Sequence, residues 1–149
     1  MRILSILFLF VTFFSFASCD DDEATTVTID SSVPQGFTVS REGGFLAQNG
    51  TPTVGAAELG TDENGAQWLR LSEDFVTEQG TGTVTVFLST SDTYTPSPST
   101  GNPDLILAGG LTTNGEHFYQ LNRTVGADFT HVILWCASAN IPFGVAEIQ

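Results

Sequence analysis

Hydrophobic and polar positions alternate in short runs along most of this chain. Residues 83–86, Thr-Val-Thr-Val, alternate strictly, which is typical of a strand with one buried face and one solvated face. Residues 132–136, Val-Ile-Leu-Trp-Cys, are apolar throughout, which predicts a central strand covered on both faces. No segment after residue 19 places apolar residues at i, i+3, i+4 and i+7 over three turns, so no amphipathic helix is predicted.

Eight short β-rich runs are separated by clusters of Gly, Pro, Asn and Asp. The runs are residues 37–41, 53–59, 67–72, 83–90, 105–108, 117–121, 131–137 and 143–148. Asn64-Gly65 indicates a tight hairpin turn between the second and third runs. This spacing predicts an all-β fold, an antiparallel β-sandwich or flattened barrel of about eight strands. Residues 91–102 form a loop that is long for a compact domain, either a binding loop or simply a mobile one.

The most apolar segment lies at the front of the chain. Twelve of the fifteen residues from 3 to 17 are apolar, fewer than the roughly 17–25 that a membrane-spanning helix needs. A positive charge, Arg2, precedes them and small residues follow, which indicates a secretory signal peptide. The junction, Phe-Ala-Ser-Cys at residues 16–19, resembles the lipobox of bacterial lipoproteins, in which a diacylglyceryl group is attached to the cysteine, here Cys19. The alternative is an ordinary cleaved signal with an incidental cysteine.

The predicted organisation is therefore a lipoprotein signal peptide at 1–18, an acidic tether at 19–34 and a folded domain at 35–149. The chain has 17 Asp or Glu, four Arg and no Lys, for a net charge of −13. Cleavage before Cys19 also removes Arg2, so the mature chain carries −14. Such acidity argues against a nucleic-acid partner, because neutralising phosphates requires clustered Lys and Arg.

Four acids, Asp20, Asp21, Asp22 and Glu23, directly follow the anchor cysteine. They are either a solvated spacer or a sorting signal. An acidic run at this place resembles the export signal of surface lipoproteins in some Gram-negative lineages, whereas in others an Asp here retains the protein at the inner membrane. We predict a surface-exposed outer-membrane lipoprotein, whose membrane contact is the lipid anchor, with a periplasm-facing anchor as the alternative.

The folded part carries a family resemblance in several blocks, of which the last is the most specific. Gly44-Phe45 comes first, followed by residues 69–75, 86–89, 115–121 and 132–136 with Phe-Gly-Val-Ala at 143–146. In that last block a Trp-Cys pair ends a hydrophobic strand, and Phe-Gly-x-Ala begins seven residues after the cysteine. The chain resembles the electron-transfer DM thirteen family over about 105 residues, from Gly44 to Ile148.

That resemblance implies a β-sandwich module. Some family members lie beside haem-binding extracellular domains and transmembrane cytochromes, and a redox role through the cysteine has been proposed for the family. The family's histidine before the second strand is replaced here by the run Gln-Asn-Gly-Thr at residues 48–51, so no ligand role is assigned there. The family's Gly-Pro-Asp-Leu before the fourth strand is likewise replaced by Gly-Thr-Gly-Thr at residues 80–83.

Cys136 is the one thiol left once Cys19 is lipidated. The resemblance implies a redox-active Cys136 with Trp135 beside it. The alternative is a structural cysteine, because burial in an apolar strand raises a thiol pKa and an acidic domain offers few positive neighbours. His131 lies five residues before Cys136, so the two side chains should point to opposite faces of a strand, which argues against a shared metal site.

No cofactor, metal or catalytic site is predicted. There is no Cys-x-x-Cys-His motif for covalent haem and no Gly-x-Ser-x-Gly elbow for a hydrolase. We therefore expect a lipid-anchored extracytoplasmic module, not an enzyme, that assists redox or electron transfer and meets a redox protein or another surface partner. The alternative is a binding or structural surface module with a purely structural cysteine.

Overall fold

The computed structural model describes residues 32–96 and 101–149. The predicted signal peptide, the anchor Cys19, the acidic run 20–23 and most of the tether lie outside the described residues. The described part contains eight strands and no helix, so no helix there is long and apolar enough to cross a bilayer. The strands are β1 (Thr38–Ala47), β2 (Ala56–Thr61), β3 (Gln67–Leu71), β4 (Val84–Ser89), β5 (Leu105–Leu111), β6 (His117–Gln120), β7 (His131–Cys136) and β8 (Ile141–Glu147).

All paired strands are antiparallel and belong to one sheet in the order β5-β4-β7-β8-β1-β2-β3-β6. This sheet curls into a nearly closed barrel, so the predicted all-β, antiparallel, eight-stranded fold is confirmed in its flattened-barrel form. β7 lies between β4 and β8, and Val132, Ile133 and Leu134 are fully buried. The prediction of a central strand covered on both faces is therefore confirmed as well.

The barrel closes between its two edge strands, β5 and β6, through one aromatic side chain. The ring of Tyr119 on β6 packs against Gly109 on β5, where an added Cβ atom would lie 2.6 Å from ring carbons Cδ1 and Cε1. The Tyr119 hydroxyl donates a hydrogen bond to the carbonyl oxygen of Gly110 at 3.2 Å. Burial raises the pKa of this phenol to about 12, so it stays a hydrogen-bond donor at neutral pH.

β1 is twice as long as the predicted run 37–41, because a Gly-Gly pair that reads as a strand breaker lies inside it. The strand pairs with β2 through Gly44 and then with β8 from Phe45 onward. A Cβ atom at Gly43 would overlap the backbone carbonyl of Glu147. Glycine is therefore required here by the close approach of two backbones, and it lets β1 continue from one half of the sheet to the other.

The predicted hairpin turn joins β2 to β3 and is fixed by one carboxylate. Gly65 adopts a φ of 81°, a left-handed conformation that glycine accommodates at low cost. The Asp62 carboxylate accepts hydrogen bonds from the amides of Asn64 and Ala66, each at 2.9 Å, and from Nε1 of Trp68 at 3.1 Å. Burial alone would raise the pKa of Asp62, but these hydrogen bonds to the charged form outweigh burial and lower it.

The inward-facing side chains of the strands form one apolar core. Within it Phe45 and Phe75 meet edge to face, with ring centroids 5.4 Å apart. Burying each large side chain of this kind contributes roughly 1.5–3 kcal/mol. The core also includes Leu59, Leu69, Leu71, Val86, Leu88, Val132, Leu134 and Cys136, all at most 1% exposed.

Candidate functional site

Cys136 is the last residue of β7 and lies inside the barrel near one end. It pairs with Val84 of β4 on one side and with Ile141 of β8 on the other. Its side chain is free and fully buried in the core. The chain then turns through residues 137–140, which are all exposed, so only this short turn separates the thiol from solvent.

A chain of hydroxyl groups ends on the thiol. The amide of Ser138 donates to Thr83 Oγ1 at 3.1 Å, and Thr83 Oγ1 donates to Ser138 Oγ at 2.8 Å. The two hydroxyl oxygens lie 3.4 Å (Ser138) and 3.6 Å (Thr83) from the Cys136 sulfur. Because Ser138 Oγ accepts from Thr83, its own hydrogen is available to the sulfur.

These donors decide the acidity of the thiol. Burial raises the pKa of Cys136, as expected from the sequence, but the hydroxyl groups of Ser138, Thr81 and Thr83 and the amide of Ala139 outweigh burial and lower the pKa to about 7. Thr83 gives its one hydrogen to Ser138, so it acts on the sulfur by orienting the Ser138 hydroxyl. The Thr81 contribution is the weakest in geometry, because its buried hydroxyl oxygen has no hydrogen-bond partner within the usual distance among the described residues. The expectation of a raised thiol pKa is thus wrong, since it considered positive neighbours and not hydroxyl donors.

Trp135, the other redox candidate, lies on the opposite face of β7, outside the barrel. Tyr94 stacks on it with ring centroids 4.1 Å apart and an interplanar angle of 21°. The same Tyr94 ring contacts Phe87 of β4 at 5.1 Å. The first half of the long loop predicted at 91–102 is therefore folded back onto the outer face of the sheet, whereas residues 97–100 lie outside the described residues.

The two histidines lie apart from the thiol. His131 Nδ1 lies 2.9 Å from Thr130 Oγ1, at the opposite end of β7 from Cys136. His117 Nε2 lies 2.9 Å from the backbone oxygen of Thr113, and its ring stacks on Tyr119. Within the described ranges, no group of three His, Cys, Asp or Glu side chains comes together that could hold a metal ion.

The structure thus places Cys136 and Trp135 on opposite faces of one strand, as neighbours in sequence must be. Sequence reasoning missed the hydroxyl groups of Thr83 and Ser138 and the contact of Tyr94 with Trp135. Ser138 follows Cys136 by two residues, which is a local signal for a hydrogen bond. Thr83 lies 53 residues away and reaches the thiol through the pairing of β4 with β7, which no local pattern predicts.

One comparison with known proteins gives a match. A family model described as electron transfer DM13 matches residues 45–148, more than two thirds of the chain. The match begins at Phe45, the third-last residue of β1, and continues through β8, so it includes Cys136, Thr83 and Ser138. No curated protein and no solved structure matches the chain.

Proposed function

Because the chain belongs to the electron transfer DM13 family, we propose that it is a lipid-anchored extracytoplasmic accessory of redox or electron transfer reactions. In this proposal Cys136 is the group that is oxidised and reduced. The observation that carries it is the chain of hydroxyl donors on the thiol, which lowers its pKa to about 7. A buried cysteine that serves only as a small apolar side chain needs no such donors.

The chemistry that follows is that of a thiolate protected by a barrel. The thiolate sulfur attacks one oxygen of hydrogen peroxide, an S–O bond forms as the O–O bond breaks, and Cys136 becomes a sulfenic acid. The leaving hydroxide takes a proton from solvent and departs as water. A small thiol then condenses with the sulfenic acid, releasing a second water and leaving a mixed disulfide. A second small thiol attacks that disulfide, which restores Cys136 and releases the two small thiols as their disulfide. Burial restricts both reagents to small molecules that pass the turn at 137–140.

Alkylation of the native protein tests the proposal. We expect iodoacetamide to modify Cys136 in the folded mature chain at a rate that follows the thiolate fraction, with a midpoint near pH 7. The control is the same chain carrying Cys19→Ser and Cys136→Ser, which offers no thiol. A Cys136 that reacts after denaturation and stays inert in the native protein at every pH would contradict the proposal.

The lipid anchor and the location are part of the same proposal. The lipobox-like junction before Cys19 supports acylation there, and the acids Asp20, Asp21, Asp22 and Glu23 support export to the outer-membrane surface. We expect Cys19→Ala to abolish incorporation of a labelled fatty acid, whereas unchanged labelling would exclude the anchor. Replacing the four acids by their amides should leave the fatty-acid labelling intact. It should also protect the domain from a protease added to whole cells, because the domain would no longer reach the cell surface.

A second candidate is a surface binding module in which Cys136 is purely structural. Complete burial of the thiol in the core favours this alternative. A polar cleft of about 410 Å³ supports it further, since its lining between Ser89 and Leu105 includes the hydroxyls of Thr93 and Thr95. If Cys136→Ser leaves every redox readout of the native protein unchanged, this alternative replaces the first.

A further inference from the structure

An apolar surface lies outside the barrel, on the face opposite the thiol. Leu107 of β5 pairs with Phe87 of β4, and Phe87 pairs with Ile133 of β7. Val132 and Leu134 belong to the inner core, so the Ile133 side chain between them points to the outside of the barrel. Ile133 is nevertheless fully buried, so other side chains must cover it on the outer face. Tyr94 lies over this region, in contact with both Phe87 and Trp135. We call Phe87, Tyr94, Leu107 and Trp135 the outer aromatic patch.

The outer aromatic patch is open to a partner at its β5 edge. Leu107 is 60% exposed, and the three aromatic side chains are each partly exposed. Solitary exposed leucines are common, but one that adjoins aromatic side chains from two neighbouring strands and from the loop over them is typical of an interaction site. Aromatic side chains are also the residues that contribute most to protein interfaces.

Charge identifies what kind of protein the patch suits. Asp92 lies two residues before Tyr94, and Asp104 is brought to the same end of the sheet by a hydrogen bond from the Thr90 amide to its carbonyl. The described residues include twelve of the acids and three arginines. None of these arginines lies in the patch, because each is engaged elsewhere.

The arginine contacts are all internal to the domain. Arg41 donates to the backbone oxygens of Phe129 and Gly126, at 2.7 and 3.2 Å. Arg70 lies between Glu58 and Glu116, at 2.9 and 2.7 Å. Arg123 lies over the Phe129 ring, 5.1 Å from its centroid. Among the described residues, no arginine offsets the charges of Asp92 and Asp104 beside the outer aromatic patch.

We propose that the outer aromatic patch docks a protein that presents a positively charged face around an apolar centre. The acids of this chain steer such a partner to the surface, and the aromatic side chains hold it. Trp135 precedes Cys136 directly, so the docked partner lies one strand thickness from the thiol. That the partner is a redox protein rests on the proposed function, whereas docking itself does not require the thiol.

The test uses the mature chain carrying Cys19→Ser and a defined basic probe, cytochrome c, which is small and rich in lysine. We expect NMR shift changes confined to the outer aromatic patch and its flanks, with a micromolar dissociation constant at 20 mM salt. Binding should weaken at least tenfold at 200 mM salt, because the attraction is largely electrostatic. Absence of binding at low salt, or shift changes spread over the whole surface, would overturn the proposal.

Two lysine substitutions separate a specific surface from general acidity. Leu107→Lys places a positive charge in the patch and should weaken binding at least tenfold. Leu46→Lys adds the same charge at a leucine of β1 that is 74% exposed, and should change the affinity less than threefold. Equal weakening by the two variants would overturn the proposal. Cys136→Ser should bind unchanged, so failure of the redox function and failure of docking are distinguishable.

Discussion

Replacing Gly109 by alanine should open the barrel at the contact that closes it. An added Cβ atom would lie 2.6 Å from the Tyr119 ring carbons, whereas apolar carbons pack at about 3.5–4.0 Å. The ring must therefore retreat by roughly 1 Å, which also strains the hydrogen bond from its hydroxyl to Gly110. Overpacking of this kind costs about 1–3 kcal/mol. The alanine recovers about 0.5–1 kcal/mol of backbone entropy, so we expect a net loss of about 0.5–2 kcal/mol.

Gly110→Ala provides the matched control, because an added Cβ atom at Gly110 meets nothing within 4 Å. That variant should be as stable as the unchanged protein or about 0.5 kcal/mol more stable. Urea denaturation followed by tryptophan fluorescence measures both free energies of unfolding. In a Tyr119→Ala background, Gly109→Ala should lose its destabilising effect, which a double-mutant cycle detects. Equal effects of the two glycine substitutions, or no coupling to Tyr119, would refute the assignment of Tyr119 as the closing contact.

Three further predictions concern titrating and hydrogen-bonded groups. Asp62→Ala should lower the free energy of unfolding at pH 7 more than Glu63→Ala does. Because the folded-state pKa of Asp62 is lowered, this difference between the two variants should shrink as the pH falls through and below the usual carboxyl range. Thr83→Val should raise the pKa of Cys136, measured by thiolate absorbance at 240 nm, whereas Thr85→Val, whose hydroxyl bonds to the Trp135 carbonyl, should not. The Cys136 pKa is lower in the folded chain, about 7 against 9.0, so the stability of the unchanged protein relative to Cys136→Ser should rise between pH 7 and pH 9 and be lost below pH 7. A relative stability that is flat across this range would contradict the lowered pKa.

The strands were predictable because their signal is local. Alternation with a period of two and the turn residues between runs mark all eight strands, and the continuous apolar run at 132–136 marks the central one. The predicted run for β1 was too short because its glycines read as a strand breaker. Glycine is needed at Gly43 because the backbone at the end of β8, about a hundred residues away, approaches it closely. Local patterns carry no information on such a contact.

The candidate site was predictable in its centre and not in its surroundings. Cys136 and Trp135 are found from the strand they end and from the family resemblance. Thr83 reaches the sulfur because β4 pairs with β7 in a particular register, and Tyr94 reaches Trp135 because a loop folds over the sheet. Since the hydroxyl donors decide the pKa of the thiol, its chemistry depends on pairing that the sequence does not specify locally.

Oxidation of native Cys136 distinguishes a redox-active thiol from a structural one. The mature chain carrying Cys19→Ser is treated with hydrogen peroxide at pH 8 and at pH 5.5, sulfenic acid is trapped with dimedone, and the adduct is measured by intact-protein mass spectrometry. We predict one dimedone adduct, located at Cys136, that forms at least tenfold faster at pH 8 because the thiolate predominates there. A native chain that forms no adduct at either pH, and forms one only after unfolding in urea, would contradict a redox role and show that Cys136 is a structural residue.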